Sequence, residues 1–442
     1  MRNGLVASLA VFAFCLTAVL ANPARAECSA DPRWFPHDQT KEADSAGFPA
    51  PPQPPCTFHQ WSWQMFLWLT QTDAATGEPR FIGFAGPESL DPNLKGKTPA
   101  TLMPGLELTK PKTLADYLQA GPDGILVDQN GRIVYYSIYI NDVFSKFVTD
   151  NKLNQVDVLR HFDPTAAFPN GSLELKAAWK IVGDNEDMSG YYTRKALINP
   201  LVARGGKFVI DPDKVEQVTV ALVGFHIAGT VAYHKEMIWA SFENIRNAPD
   251  VENLATIRPD TVVSDKDWTF YKANTPFRAC NANPAGSGTQ KLDPVSQKMT
   301  PVTAVCRLYP YGSGHDKQPN AASIRELNAS VQARLPDVWK NYFEVGAIWF
   351  ARAAFTKEIQ PNCTFQLGRL QCGIGLTGST HLSNATIETF TQGQSTSDNC
   401  FACHNTVQRF PPRAGLRALP GKNVAISHVV NNLYFRLRQE QH

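Results

Sequence analysis

The fold of this chain is decided by the stretch Val218-Thr219-Val220-Ala221-Leu222-Val223-Gly224-Phe225-His226-Ile227-Ala228. Its side chains are apolar almost without interruption, whereas a strand with one solvated face alternates apolar and polar residues. The stretch therefore predicts a β-strand that is covered on both faces. A turn is predicted before it, at Asp211-Pro212-Asp213. After it, residues 236–243 predict either another strand or a short helix.

A β-hairpin is predicted further upstream. Asn130-Gly131 separates residues 125–129 from residues 132–140, and both flanking runs are rich in β-forming side chains. Asn-Gly between such runs is the strongest short-range signal for a hairpin. Residues 173–180 alternate partially and predict a further strand. The middle of the chain is therefore predicted to be β-rich.

Helices are predicted on both sides of this β-rich region. Residues 58–69 place apolar side chains at helical spacing, with Trp61, Met65 and Trp68 on one face. Residues 323–339 carry leucine and valine at a four-residue spacing, which predicts a second helix. The predicted fold class is α+β, with a β-rich central body, flanking helices and a C-terminal helical or loop segment.

The N-terminal residues have the pattern of a secretory signal peptide. One positive charge precedes an apolar run over residues 5–20, and the run ends at Asn22-Pro23-Ala24-Arg25-Ala26. The run is too short to span a bilayer comfortably, and its small-x-small ending predicts cleavage after Ala26. No later stretch is long and apolar enough to cross a membrane, so no transmembrane anchor is expected.

Charge and composition exclude one class of partner. The chain has 42 Lys and Arg against 40 Asp and Glu, a formal net charge of +2, and 43% hydrophobic residues. It lacks the one-sided basic field that nucleic-acid binding requires, so nucleic acid is not an expected partner. The hydrophobic content is enough for one large core or two ordinary ones.

Six cysteines remain after Cys15, in the predicted signal peptide, and after the two cysteines of the motif described next. Export places them in an oxidising compartment, where disulfides persist. The sequence alone allows any pairing, and the most economical one joins near neighbours: Cys28 with Cys56, Cys280 with Cys306, and Cys363 with Cys372. A metal site is less favoured because none of the six forms a close CxxC pair with a histidine nearby.

The motif Cys400-Phe401-Ala402-Cys403-His404 carries the chemistry of the chain. Two thiols with two residues between them add across the two vinyl groups of haem, and the adjacent imidazole reaches the iron. The motif predicts one covalent haem c, with Cys400 and Cys403 as its thioether residues and His404 as an axial iron ligand. The alternative, a disulfide or zinc half-site, is disfavoured by the export signal, because haem attachment of this kind takes place in the periplasm.

The sixth iron ligand is left open by the sequence. No methionine follows Met299, which excludes the downstream methionine of small cytochromes c. His428 is the first candidate, because it lies far enough from His404 for the chain to turn back over the haem. His226 is a second candidate, although a buried histidine is more often only a core hydrogen-bonding group. His442, at a chain end, is a poor candidate. Nothing in their spacing singles out any of the other methionines, which are Met65, Met103, Met188 and Met237.

The chain resembles a family of large bacterial periplasmic proteins known as cytochrome c family proteins. The resemblance is carried by Val223-Gly224-Phe225-His226-Ile227, by residues 238–244, by residues 382–390 before the CxxCH motif, and by residues 58–68. It implies a mono-haem protein with a large non-haem body, and no common activity is implied. It supports Cys400, Cys403 and His404 as the haem residues and draws attention to His226, Trp239 and Glu243.

These patterns predict a domain organisation. Residues 1–26 form a signal peptide and residues 27–57 a proline-rich arm stapled by Cys28 and Cys56. Residues 58–380 form the β-rich body with helices, and residues 381–442 form the haem-binding segment.

The expected function is periplasmic electron transfer with a redox partner protein or a small-molecule electron donor or acceptor. The alternative is a peroxidase- or oxygenase-like haem oxidoreductase, with a substrate pocket over an open or displaceable sixth site. The sequence leaves open whether the chain is an enzyme.

Overall fold

The structure is a computed structural model of the chain. It describes residues 28–91, 113–114, 117–121, 124–285, 289–312, 318–351, 364–366, 369–371, 375–382, 384–394, 399–410 and 417–439. The predicted signal peptide, the predicted pair Cys363 and Cys372, Met103 and His442 lie outside these residues.

The described residues form a mixed structure of helices and an antiparallel sheet, which confirms the α+β class. The helices are α1 (Pro55–Thr70), α2 (Asp142–Asp150), α3 (Val156–His161), α4 (Gln318–Gln332), α5 (Cys400–Cys403) and α6 (His428–Gln439). The strands are β1 (Thr113–Leu114), β2 (Val134–Ile140), β3 (Leu173–Ile181), β4 (Thr193–Ile198), β5 (Leu201–Arg204), β6 (Lys207–Ile210), β7 (Glu216–Val231), β8 (His234–Asn244), β9 (Lys291–Asp293), β10 (Lys298–Thr300), β11 (Tyr342–Phe350), β12 (Thr364–Gln366), β13 (Arg369–Gln371) and β14 (Leu376–Gly378).

Strand β7 organises the large sheet. On one edge it pairs with β3, and on the other edge it pairs first with β4 and then with β8. The sheet continues from β8 to β11 and β14, and from β3 to β2. These neighbours are antiparallel, whereas the short β1 pairs with β4 in parallel. Three two-stranded sheets, β5 with β6, β9 with β10 and β12 with β13, lie outside this arrangement within the described residues.

Both faces of β7 are covered, as the sequence predicts. On one side, here called the α1 face, Phe225 of β7 and its cross-strand partner Phe242 of β8 pack under α1. Phe66 of α1 stacks on Phe242 with ring centroids 4.3 Å apart. The opposite side, here called the C-terminal face, is covered by residues 384–390, α5 and α6. Side chains alternate along a strand, so His226 points to this second face.

The structure also tests the predictions for residues 236–243 and for the hairpin at Asn130-Gly131. Residues 236–243 lie within β8, so the alternative of a short helix is wrong. The predicted hairpin has its turn, because the amide of Gly131 donates to the carbonyl of Asp128. Its two arms are joined by hydrogen bonds from the amide of Asp128 to the carbonyl of Arg132 and from the amide of Val134 to the carbonyl of Leu126, on either side of a bridge between Val127 and Ile133. The outer edge of the first arm binds Thr303 of another loop.

The second predicted helix is shorter than expected. Helix α4 ends at Gln332, and Pro336 follows soon after. A proline disfavours helical backbone in the residue before it, so the helix cannot continue through Leu335. Asp337 then caps a separate short 3-10 turn, Val338–Asn341.

Two predicted disulfides are confirmed. Cys28 is bonded to Cys56 and Cys280 to Cys306, with Cα atoms 5.6 Å and 5.5 Å apart. The N-terminal arm also docks on α4, where the amide of Ala30 donates to Ser330 at 3.0 Å. In the described part of the chain, no helix is long and apolar enough to cross a membrane.

Candidate functional site

A row of polar side chains crosses the C-terminal face of the sheet. Lys176 of β3 is paired in register with His226 of β7, and His226 is paired with Ser241 of β8. The Nζ atom of Lys176 donates to the side chain of Gln119 at 2.5 Å. The row therefore places one cation and one imidazole side by side on adjacent strands, in the middle of a largely apolar sheet.

A neighbouring row carries the side chains that contact the C-terminal segment. Glu174, Ala228 and Trp239 are paired across β3, β7 and β8. Ser427 donates to Oε2 of Glu174 at 2.6 Å. The ring of Trp239 lies against the imidazole of His404, with centroids 4.1 Å apart. The row thus joins the sheet to the CxxCH motif.

Residues 384–390 dock on the same face through buried hydrogen bonds. The side-chain amide of Asn384 donates to Ser241 at 3.0 Å and to the carbonyl of Phe242 at 2.8 Å. The amide of Ala385 donates to the carboxylate of Glu243 at 2.7 Å. This anchoring gives Glu243, which the family resemblance singles out, a role in positioning the segment.

A glycine makes the close docking of this segment sterically feasible. A Cβ atom at Gly224 would lie 2.2 Å from Oγ1 of Thr386. Such a separation is far below van der Waals contact, so a side chain here would push the segment away from the sheet. The glycine in the resemblance motif therefore has a packing function.

The docked segment brings Glu388 to His226. Nε2 of His226 lies 3.3 Å from Oε2 of Glu388, and the amide of Asn384 donates to the same oxygen at 3.0 Å. Burial acts to raise the pKa of Glu388, but the close imidazole of His226 and the charge of Lys176 outweigh it. The net pKa lies below the ordinary range, so Glu388 is an anion at neutral pH.

The CxxCH motif forms a single helical turn. The side chain of Asn399 caps it by accepting from the amide of Ala402 at 3.2 Å. Phe401 is buried against Phe350, with ring centroids 4.5 Å apart. Because the cap and this aromatic contact fix the turn, the two cysteines and His404 project from a defined position.

His404 has one nitrogen held and one left free. Its Nδ1 lies 2.9 Å from the carbonyl oxygen of Ile426, which can only accept, so Nδ1 carries the proton. Burial lowers the pKa of His404 well below its ordinary value, so the ring is neutral. Nε2 then presents a lone pair, which is the arrangement that a metal-binding histidine requires.

His428, the first sequence candidate for the sixth ligand, lies beside His404. The two rings are stacked, with centroids 3.9 Å apart and planes inclined by 20°. Nε2 of His428 donates to the carbonyl of Cys403 at 3.1 Å, and burial lowers the pKa of His428 to about 4. Two imidazoles that bind one iron from opposite sides point a nitrogen at each other, whereas these rings lie face to face. Ligation by His428 stays a prediction that requires its ring to move.

The two motif cysteines are free thiols. Burial and then the negative charge of Glu388 raise the pKa of both Cys400 and Cys403. Together with the free Nε2 of His404, these thiols fit the donor set of a covalent haem, whose iron takes at most two ligands from the protein. Among the described residues, no group of three or more His, Cys, Asp or Glu side chains could hold a metal ion by itself.

The described methionine candidates lie in hydrophobic cores. Met65 is buried between α1 and the sheet on the α1 face, away from the motif. Met237 is buried in the core that contains Trp239, and Met188 packs at the edge of a further core. Sequence reasoning missed Lys176, Glu174 and Glu388, because only the strand register and the docked segment bring them to the motif.

The buried Glu174 makes stability depend on pH. Burial raises its pKa from 4.5 to about 7, against the hydrogen bond from Ser427 and the charge of Lys176. The folded state therefore keeps a proton that the unfolded state loses above pH 4.5, so stability falls as pH rises from 4.5 to 7. The loss amounts to about 3 kcal/mol and is constant at higher pH.

Glu174→Gln is therefore expected to stabilise the protein by up to about 3 kcal/mol at pH 8 and to change little at pH 4. Urea denaturation of both proteins at the two pH values measures this difference. Equal stabilisation at both pH values would contradict the assignment to Glu174.

Comparisons of the chain with protein-family models, with curated proteins and with solved structures give no match.

Proposed function

We propose that the chain is an exported mono-haem c-type cytochrome that transfers electrons in the periplasm. The observation that carries the proposal is the geometry of the motif. Cys400 and Cys403 lie on one helical turn as free thiols, and His404 beside them has Nδ1 held by the carbonyl of Ile426 and Nε2 available. The resemblance to cytochrome c family proteins supports the same reading.

In this proposal, the protein holds and shields the haem. Cys400 and Cys403 bind it covalently, and His404 binds the iron through Nε2. When bound, the haem supplies an iron that gains and loses one electron. The buried ring of Trp239 lies against His404 and against the ring of Phe401, and such an apolar shell around an iron ligand tunes the reduction potential.

An oxidising location is supported by the disulfides. The bonds Cys28–Cys56 and Cys280–Cys306 are typical of exported proteins and rare in the cytoplasm. The predicted signal peptide agrees with this location. The partner is then a periplasmic redox protein or a small-molecule electron donor or acceptor.

A haem stain tests the proposal. The full chain, exported to a bacterial periplasm in cells that attach haem c, should keep the stain after denaturation, because thioether bonds survive unfolding. A purified, folded chain that does not stain would contradict the proposal.

A second candidate is a haem oxidoreductase with a substrate pocket. The observation in its favour is the group of Lys176, His226 and Glu388 on the sheet face beside the motif, since an electron carrier needs no such polar group. In an enzyme, these side chains would bind and orient a substrate near the haem.

Carbon monoxide separates the two candidates. An electron-transfer haem has both axial positions filled, so the spectrum of the reduced protein should change little when carbon monoxide is added. A rapid and complete spectral shift would instead favour the oxidoreductase.

A further inference from the structure

We infer that His226 supplies the second imidazole ligand of the haem iron. The inference rests on the proposed function, because it requires a haem attached at Cys400 and Cys403. The sequence leaves the sixth iron ligand open between His428 and His226, and this inference assigns it to His226. Three observations support the assignment.

The first observation is the position of His226. It lies on the sheet face that the motif covers, diagonal to Trp239 on the neighbouring strand. Diagonal cross-strand neighbours on one face lie roughly 7–8 Å apart, and the ring of Trp239 contacts His404. Glu388, which contacts His226, is near enough to both motif thiols to act on them electrostatically. His226 is therefore beside the motif although more than 170 residues of sequence separate them.

The second observation is the way its ring is held. Nε2 of His226 faces the carboxylate of Glu388, and it is a buried atom without a well-aligned hydrogen bond. Nδ1 makes no hydrogen bond among the described residues. Metal-binding histidines usually have one nitrogen oriented by a carboxylate or carbonyl and the other one directed to the metal. In His404 the two nitrogens have exchanged roles, because Nδ1 is held by the carbonyl of Ile426 and Nε2 is available.

The third observation concerns the competing ligands. His428 lies flat on His404 and uses Nε2 to bind the carbonyl of Cys403. In this position the ring of His428 packs on the ring of His404 and does not face it across an iron site. Met65 is buried on the other face of the sheet. Met237 is buried in the core with Trp239. Of the two histidine candidates on this face, His226 is the one whose ring is not stacked on His404.

Replacing His226 tests the inference by spectroscopy of the purified, haem-stained protein. The wild type should be six-coordinate and low-spin, and His226→Ala should convert nearly all of the haem to a high-spin form that binds carbon monoxide. Added imidazole should restore the low-spin spectrum of His226→Ala, because it enters the space left by the side chain. His226→Gln keeps a polar side chain beside Glu388 and should also be high-spin, which guards against a folding defect of the alanine variant.

His428→Ala is the matched control and should stay low-spin. Glu388→Gln removes the charge beside His226 but keeps a hydrogen-bonding group, so it should stay low-spin with a raised midpoint potential. The reason is that a carboxylate partner makes an imidazole a stronger donor and favours the ferric iron.

Three results would overturn the inference. In the first, the wild type is already high-spin. In the second, His226→Ala and His226→Gln both stay low-spin. In the third, His428→Ala is high-spin while His226→Ala is low-spin. In each of these cases a positive haem stain leaves covalent haem attachment intact. The second and third cases also leave the electron-transfer proposal intact, whereas a high-spin wild type would favour the oxidoreductase. An unstained wild type would overturn the inference and the proposed function together.

Discussion

On the proposed function, replacing Cys400 and Cys403 together by alanine is expected to abolish covalent haem completely. Both thioether bonds require these sulfur atoms, and the described cysteines other than these two are held in disulfides. The fold should persist, because Asn399 still caps the turn and Phe401 still packs on Phe350. Haem staining after denaturation and the mass of the intact chain measure the effect.

Two kinds of control make this result specific. Each single variant, Cys400→Ala or Cys403→Ala, should keep one thioether bond and part of the stain. The pair Cys280→Ala and Cys306→Ala removes a disulfide bond from another part of the body and should keep the full stain. Covalent haem in the double variant of Cys400 and Cys403 would refute the assignment of the motif.

Replacing Arg307 by methionine is expected to destabilise the protein by about 3–5 kcal/mol, the usual cost of breaking a buried ion pair. Arg307 is 5% exposed and donates to Glu243 at 3.0 Å and to Asp250 at 2.5 Å. Glu243 is fully buried and also accepts from the amide of Ala385. Without the guanidinium, a buried carboxylate would remain without its counter-charge.

The pH dependence of this variant has a definite sign. Burial already raises the pKa of Glu243, and Arg307 opposes that effect. Without Arg307 the pKa rises further, so the folded state holds a proton that the unfolded state releases. Stability of Arg307→Met should therefore fall as pH rises from the ordinary glutamate pKa toward neutrality.

Urea denaturation measures the loss, and Lys272→Met is the matched control. Lys272 forms an exposed ion pair with Asp267 at 2.6 Å, so its replacement should cost less than about 1 kcal/mol. Adding Glu243→Gln to Arg307→Met should recover part of the loss, because the uncompensated charge is then absent. Equal losses of stability in Arg307→Met and Lys272→Met would show that the buried ion pair of Arg307 contributes no more than an exposed one.

Local patterns were enough to predict much of the body. The apolar run at residues 218–228, the helical spacing of residues 58–69 and the pairing of near-neighbour cysteines all depend on residues close together in the sequence. The hairpin around Asn130-Gly131 is equally local, because its hydrogen bonds join residues 126–128 to residues 131–134. The local pattern could not predict that Thr303, from a distant loop, binds the outward-facing backbone of Val127.

The sequence by itself predicts a haem-attachment motif at Cys400, Cys403 and His404, because that pattern needs only five consecutive residues. It also determined that residues 218–228 form a strand covered on both faces. Only the tertiary structure decided which side chains meet the motif. His226, Lys176 and Glu388 come from three distant segments, and the register of β3 with β7 and the docking of residues 384–390 bring them together. Such contacts depend on the packing of the whole sheet, which no local pattern specifies.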